Sequence, residues 1–421
     1  MPKAHQQTSF TRSLATLFTG TLLAQAIPFL AAPLIARLYD APQFALFGAA
    51  LVVFNVINVI ITGRYELALA SPRERGDAGD LLRGGVVFTV LAGLVAWGVL
   101  LLLRGPLQEQ LGRSLTNGVL SIVVALALFA GIQTFYQQWM LRERAFGAMA
   151  RAKVVQAVAI TFATILFGYF AHGQGLLLGY FLGWGAYLVC TWRFVSRRSP
   201  IVGSWDRSRS IAMLEKYKEF PLHNAWPALV GAIASGVAVM YMALYYPPEI
   251  AGQHNFARQY LLAPSSMIGV VVGQLLFERT ASAVREDRPI GNELRRSLFL
   301  LVLIALATCL IFSLFGEPLF ALVFGEQWRF AGQASTILIW GYAVQFVGGA
   351  FGLQLLALGK IKSTMAFPLL FAALLALLQF FKHLPPLRFM MLLSSVEVIA
   401  YASYLGWVWY HVSRYDRSLN T

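Results

Sequence analysis

The sequence predicts an all-α polytopic membrane protein with about twelve transmembrane helices, in two pseudo-symmetric six-helix bundles around a central cleft. Three observations predict it. Hydrophobic residues make up 58% of the chain and charged residues only 12%, with a mean hydropathy of +0.65, well outside the composition of soluble domains. Charge-free runs long enough to cross a bilayer recur along its whole length. One short motif occurs twice, at the corresponding place in each half.

The runs justify the spans in order. Stretches without Asp, Glu, Lys or Arg cover 13–36, 41–63, 84–103 and 114–141. The stretch 154–192 holds two spans folded at a turn near 172–175. Spans seven to eleven follow at 220–248, 259–277, 297–316, 330–359 and 363–381, and a twelfth, near 387–411, is interrupted by Glu397. About 20 apolar residues suffice for one crossing as a helix. Lys3 and Arg12 ahead of the first run resemble a signal peptide, but eleven further runs favour an uncleaved first helix.

The net charge of +14 follows membrane topology. With the N-terminus cytoplasmic, 25 of the 33 Lys and Arg fall in cytoplasmic segments and 6 in periplasmic ones, the asymmetry of the positive-inside rule. This predicts a bacterial inner-membrane protein with both termini cytoplasmic and no nucleic-acid partner. The densest basic cluster, from Arg193 to Lys218, follows span six. It reads as a positive-inside signal, or as a dock for anionic lipid headgroups.

Several function classes are excluded. Extramembrane segments reach about 25 residues at most, too short for a soluble catalytic domain, so the chain is not expected to be an enzyme. "GLQLLALGK" at 352–360 lacks the spacing of a phosphate-binding loop, and Ile361 stands where Ser or Thr is required. Cys190 and Cys309 lie inside spans, with no metal-type spacing. No cofactor or metal is expected, and ATP is not the direct energy source; a proton or a sodium ion is the candidate for any coupling.

The duplication rests on "LYDAPQFA" at 38–45 against "LYYPPEIA" at 244–251, each followed by a helix and a mixed-charge loop. It predicts an N-lobe over 1–195, a basic cytoplasmic linker over 196–218 and a C-lobe over 219–421. The opening helix of each half carries two prolines, Pro28 and Pro33 in one and Pro221 and Pro227 in the other. Proline inside a helix frees a carbonyl and bends the axis, so these four are hinge candidates. Gly175, Gly179 and Gly183 put small residues on one helix face for close packing.

Charges inside spans are expensive and mark function by default. In "ITGRYELALA", 61–70, Arg64 and Glu66 sit two residues apart. On a continuous helix they project to opposite sides and need separate partners. Glu66 there extends a polar stripe of Asn55, Asn58 and Thr62, and the sequence leaves open whether that stripe or Arg64 faces the cleft. Arg258 shares a face with His254 and Gln259 in span eight, reading as a hydrated wall around one cation. Arg37 either lines the path or pairs with Asp40. Glu397, near mid-membrane, is a candidate to bind a coupling ion or to balance a buried arginine, as is Glu66. Cations at several depths suit a phosphorylated head, because a guanidinium makes two parallel bonds to phosphate oxygens.

"ARLYDAPQFALFGAALVVFNVI" (36–57), "RYELALASPRERGDAGDLL" (64–82) and "ARQYLLAPSSMIGVVVGQLLFERTA" (257–281) resemble the polysaccharide-transport family. That family includes the O-antigen flippases, within the superfamily that also holds multidrug and toxin extrusion transporters. Ala45 departs from the glycine usual at its position. The resemblance implies transfer of an undecaprenyl-diphosphate-linked oligosaccharide, an O-antigen or other surface polysaccharide repeat unit as in lipopolysaccharide, to the outer leaflet by alternating access. It implies a polyprenyl-diphosphate-linked glycan as partner, association with other polysaccharide-assembly membrane proteins, and Arg64 and Arg258 on the diphosphate path. The alternative is an ion-coupled multidrug or small-molecule antiporter of the same superfamily, which should present acidic residues to its cleft.

Overall fold

The computed structural model describes residues 2–111, 115–170, 173–198, 201, 205–360 and 366–419. These residues are helical nearly throughout. The helices are α1 (Pro2–Leu38), α2 (Ala41–Thr62), α3 (Arg75–Leu102), α4 (Arg104–Leu111), α5 (Asn117–Arg142), α6 (Phe146–Tyr169), α7 (Gly175–Arg198), α8 (Arg207–Lys216) and α9 (Glu219–Tyr245). They continue with α10 (Pro248–Arg285), α11 (Gly291–Phe324), α12 (Arg329–Ala350), the one-turn α13 (Gln354–Ala357), α14 (Ala366–Leu377) and α15 (Pro386–Ser418).

Among the described residues, 10 helices are long and apolar enough to cross a membrane. The two expected spans outside that number are the eighth and the eleventh. The eighth falls on α10, where the side chains at 264, 266, 267 and 270 lie outside the described residues. The eleventh begins at 363, outside the described residues, and continues as α14 and a short 3-10 turn, Leu378–Phe381.

The chain forms two compact units, Met1–Ile233 and Ala234–Thr421, and the division falls inside α9. In the first unit, α5 is the central helix and packs on α2, α3 and α7. Val119, Leu126, Ala127, Ala130 and Phe135 of α5 are buried. α7 lies against α6 through three glycines, which face the Tyr39 hydroxyl and Phe167 at Gly175, Thr164 at Gly179 and Ile160 at Gly183. A β-carbon at any of them would collide with its neighbour, so backbone contact replaces side-chain packing. The Tyr39 hydroxyl donates to the Thr164 carbonyl at 2.6 Å, tying the end of α1 to α6.

The segment expected to be a plain linker is partly folded onto this unit. α8 is capped by the Asp206 carboxylate, which accepts from Ser208 N at 2.8 Å, and it packs on α3 where Gly84 faces Ser210 and Leu214. In the second unit, α12 is central and packs on α10, α11 and α15. Phe256 of α10 stacks on Trp328 with ring centroids 3.7 Å apart, and Phe324 meets it edge-on at 5.0 Å.

The repeated motif marks the same local event twice. α2 begins with Pro42 in its first turn after Asp40, and α10 begins with Pro248 after Pro247. Proline there costs nothing, since a first-turn N–H has no helical acceptor. The loop that follows each helix is held by opposite chemistry. In the first unit the Arg142 guanidinium donates to four backbone carbonyls: Leu69 at 3.2 Å, Pro72 at 2.7 Å, Arg73 at 3.2 Å and Glu74 at 3.5 Å. In the second, the Asp416 carboxylate accepts from Ile290 N at 2.9 Å and Gly291 N at 2.8 Å, and the Tyr415 hydroxyl donates toward the Ala283 and Arg288 carbonyls.

Replacing Arg142 with Met keeps the aliphatic stem and deletes every one of these donors. The expected cost is about 2 kcal/mol or more, the scale for bonds from a charged donor. It is to be read as a lowered unfolding temperature in detergent, together with new proteolytic cleavage within 69–75.

Candidate functional site

The charged pair in the first unit is built by a helix that stops. α2 ends at Thr62, and Gly63 (φ 53°) and Arg64 (φ 59°) are both left-handed before the chain enters a 3-10 helix, Tyr65–Ala70. Glycine takes this conformation freely, whereas for arginine it is strained. The expectation that Arg64 and Glu66 cannot pair is therefore corrected. It assumed a continuous α-helix, and two consecutive left-handed residues rotate the chain so that Arg64 Nη1 lies 3.4 Å from Glu66 Oε1.

The Glu66 side chain is 3% exposed and that of Arg64 32% exposed. Arg64 Nε, Glu66 Oε2 and Asn58 Oδ1 are buried atoms without hydrogen-bond partners. The pair is thus a buried carboxylate half-neutralised by a cation that still presents nitrogen donors at the surface of the unit. Of the polar stripe, Asn55 is exposed and Thr62 buried, and the stripe is broken by the end of α2 before Glu66.

The second unit assembles its polar groups from α10, α12 and α15. Arg258 is half-buried and one nitrogen, Nη2, donates to the Ser235 carbonyl of α9 at 3.0 Å. One turn before it, His254 is fully buried and neither ring nitrogen has a partner among the described residues. The Tyr342 hydroxyl on α12 and Glu397 Oε2 on α15 are likewise buried and unpartnered. The Arg258 charge acts on all three of these groups. Unpaired buried polar atoms cost roughly 1–3 kcal/mol each, and three of them lie within the electrostatic reach of one cation here.

Local backbone chemistry makes room for them. Gly341 faces the Glu397 carboxylate so closely that a β-carbon would strike Oε2. The Ser394 hydroxyl accepts from Gly341 N at 3.0 Å and donates to Ile337 O at 3.0 Å. It therefore engages both ends of an i to i+4 helical pair, an insertion that loosens a helix locally. One turn further along each helix, at Leu262, Gln345 and Tyr401, begins a cavity of about 210 Å³, completed by Ser265, Gly269, Phe346 and Gly349.

The remaining expected residues are scattered. Arg37 is exposed in the last turn of α1 and, among the described residues, forms no ion pair; Asp40 N bonds Gln43 Oε1 at 2.9 Å instead. Gln259 is exposed and does not join buried His254. Gly269 and Gly273 face Phe346 and Ala350 of α12. Pro28, Pro33 and Pro227 lie inside their helices. Pro221 is the third residue of α9, where it displaces no helical bond, which removes one member of the expected hinge pairing. Tyr342 was not singled out by sequence; its only signal is adjacency to Gly341.

Residues 34–332 match the family profile described as "Polysaccharide biosynthesis protein", well over half of the chain. No curated protein matches the sequence. Among solved structures, the lipid II flippase MurJ in an inward closed conformation is similar with a TM-score of 0.72 at 10% identity, over 97% of this chain and 90% of that one. An inward-facing multidrug resistance MATE family transporter of the MOP superfamily has a TM-score of 0.62 at 12% identity, over 96% and 95%. The Vibrio cholerae MATE transporter VcmN in its bent form has 0.55 at 17%, over 98% and 99%. At such identities the likeness is one of fold.

Arg64→Met strands a buried carboxylate and should lower stability by about 1–2 kcal/mol, less than for a wholly buried pair because the arginine is partly solvated. Adding Glu66→Leu should recover most of that loss. Thermal unfolding of both variants checks it, and a double variant no better than the single one would mean that the pair carries no stability.

Proposed function

The chain belongs to the polysaccharide biosynthesis protein family, a family of transporters and not of enzymes, and from that membership we propose that it is a flippase for a lipid-linked glycan. The substrate is an undecaprenyl-diphosphate-linked oligosaccharide, an O-antigen or other surface polysaccharide repeat unit. It passes from the cytoplasmic to the periplasmic leaflet of a bacterial inner membrane by alternating access of two six-span halves, twelve spans in all, with both termini cytoplasmic.

The observation that carries this reading is Arg258. Among the described residues its hydrogen bond is to the Ser235 carbonyl, through one nitrogen, which leaves donors for a ligand in a membrane helix where an idle cation is costly. A diphosphate supplies the paired oxygens that such a planar fork fits. Arg64, one-third exposed, offers a second cation, and exposed Arg37 a third. His254 adds a buried ring beside Arg258, whereas Gln259 is retained only as an exposed neighbour.

Glu397 supports coupling to a proton or sodium ion, because a buried carboxylate oxygen without a partner is a place for a small cation; Glu66 serves charge balance with Arg64. Pro28, Pro33 and Pro227 are the hinge points. The same buried carboxylate supports the alternative, an ion-coupled antiporter for small molecules, but the candidate cations Arg258, Arg64 and Arg37 outnumber the candidate acids Glu397 and Glu66. Other polysaccharide-assembly membrane proteins are the expected partners.

Arg258→Ala should cut surface polysaccharide by about tenfold or more at matched protein level, the scale of one lost charge-assisted bond, and Arg258→Lys should retain part of it. Unchanged export in both variants removes Arg258 from the mechanism. Drug hypersensitivity of a deletion strain with normal surface polysaccharide would favour the antiporter.

A further inference from the structure

Four arginines surround one depression on the first unit, away from Arg64 and independent of the reading above. α6 contributes Arg151 and α7 contributes Arg193, Arg197 and Arg198, around a cavity of about 300 Å³. Helical periodicity places them there. Ala148, Arg151, Ala152 and Val155 share one face of α6, and Cys190, Arg193, Phe194 and Arg197 share the facing side of α7. The small Ala148 and Ala152 leave the hollow, and the close α6–α7 approach at Gly175, Gly179 and Gly183 holds its two walls together.

The charges are uncompensated. Among the described residues, Arg193, Arg197 and Arg198 form no ion pair, and Arg151 Nε donates only to the Gly147 carbonyl of its own helix, at 3.3 Å. No carboxylate lines the cavity. Arg193 and Arg197 are four residues apart, a spacing at which like charges repel, so the arrangement is improved by a bound anion. The surface next to the hollow is apolar and exposed: Val155, Val158 and Phe162 descend α6, and Val189 lies on α7. A cationic cup continuous with an apolar strip matches a molecule with an anionic head and hydrocarbon chains.

We propose that the Arg151, Arg193, Arg197 and Arg198 pocket between α6 and α7 is a binding site for the phosphate headgroup of an anionic glycerophospholipid, whose acyl chains lie along Val155, Val158 and Phe162. Basic pockets between transmembrane helices on the positive-inside face hold such headgroups. The cavity has the scale of one phosphodiester with its glycerol, and a diphosphate bearing several sugars exceeds it. Cys190 lines the pocket and is partly exposed, whereas Cys309 is buried, which provides a site-specific reporter.

The test uses the full chain in phosphatidylcholine nanodiscs with and without phosphatidylglycerol, following alkylation of Cys190 by N-ethylmaleimide. Phosphatidylglycerol should slow Cys190 alkylation about fivefold or more, and R193Q/R197Q should abolish that ratio. The charge-matched R207Q/R209Q, on α8, should retain it. No protection in the wild-type chain overturns the proposal, and so does equal loss in both variants, which would reveal only a diffuse positive field. Equal protection by inorganic phosphate, or protection by undecaprenyl phosphate at lower concentration than phosphatidylglycerol, also overturns it by assigning the pocket to a free anion or to the transport substrate.

Discussion

A backbone carbonyl inside a bilayer has no water to accept from, and every break in a helix there must be closed by the chain itself. The mixed-charge loops that follow α2 and α10, outside the apolar runs, are closed by the chain as well. In the first unit, α2 stops at Thr62 and the chain runs through two left-handed residues and a 3-10 turn before α3. The carbonyls freed beyond that break converge on a single guanidinium, Arg142. In the second, the corresponding loop presents amide N–H groups that the Asp416 carboxylate meets and carbonyls toward which the Tyr415 hydroxyl donates. The same topological need is met with opposite charge in the two halves.

Against that economy, the groups left unmet in α10, α12 and α15 stand out. Among the described residues, His254, Tyr342 and Glu397 are buried without partners for the atoms named above, beside an arginine held through one nitrogen. A core selected for stability alone would carry leucine at such positions. Gly341 and Ser394 make the arrangement possible: one removes a side chain from the path of the Glu397 carboxylate, and the other binds both ends of a helical bond it has entered. Departures from local rules concentrated at one place are what a functional site looks like.

The first unit separates its tasks differently. Three glycines bring α6 and α7 into backbone contact, and that contact sets the arginines of both helices around one hollow beyond it. Basic side chains of two helices are thereby gathered into a shaped pocket, which scattered basic residues could not form.

What the sequence by itself determined is the membrane class, the position of most spans, the internal repeat and the glycine face of α7. All of these follow from composition and periodicity, which are local properties. The sequence also singled out Arg258, His254 and Glu397 as candidates, because an ionisable side chain in an apolar run is costly wherever its partners lie. Only the tertiary structure decided that Arg64 pairs with Glu66, since that depends on backbone angles at two residues, which periodicity assumes and does not measure. It also decided that Gln259 and Arg37 stand exposed, that Pro221 sits in a first turn, and that Tyr342 joins Arg258 and Glu397. Those relations join residues far apart in the chain, and packing between helices, which no single segment encodes, brings them into range.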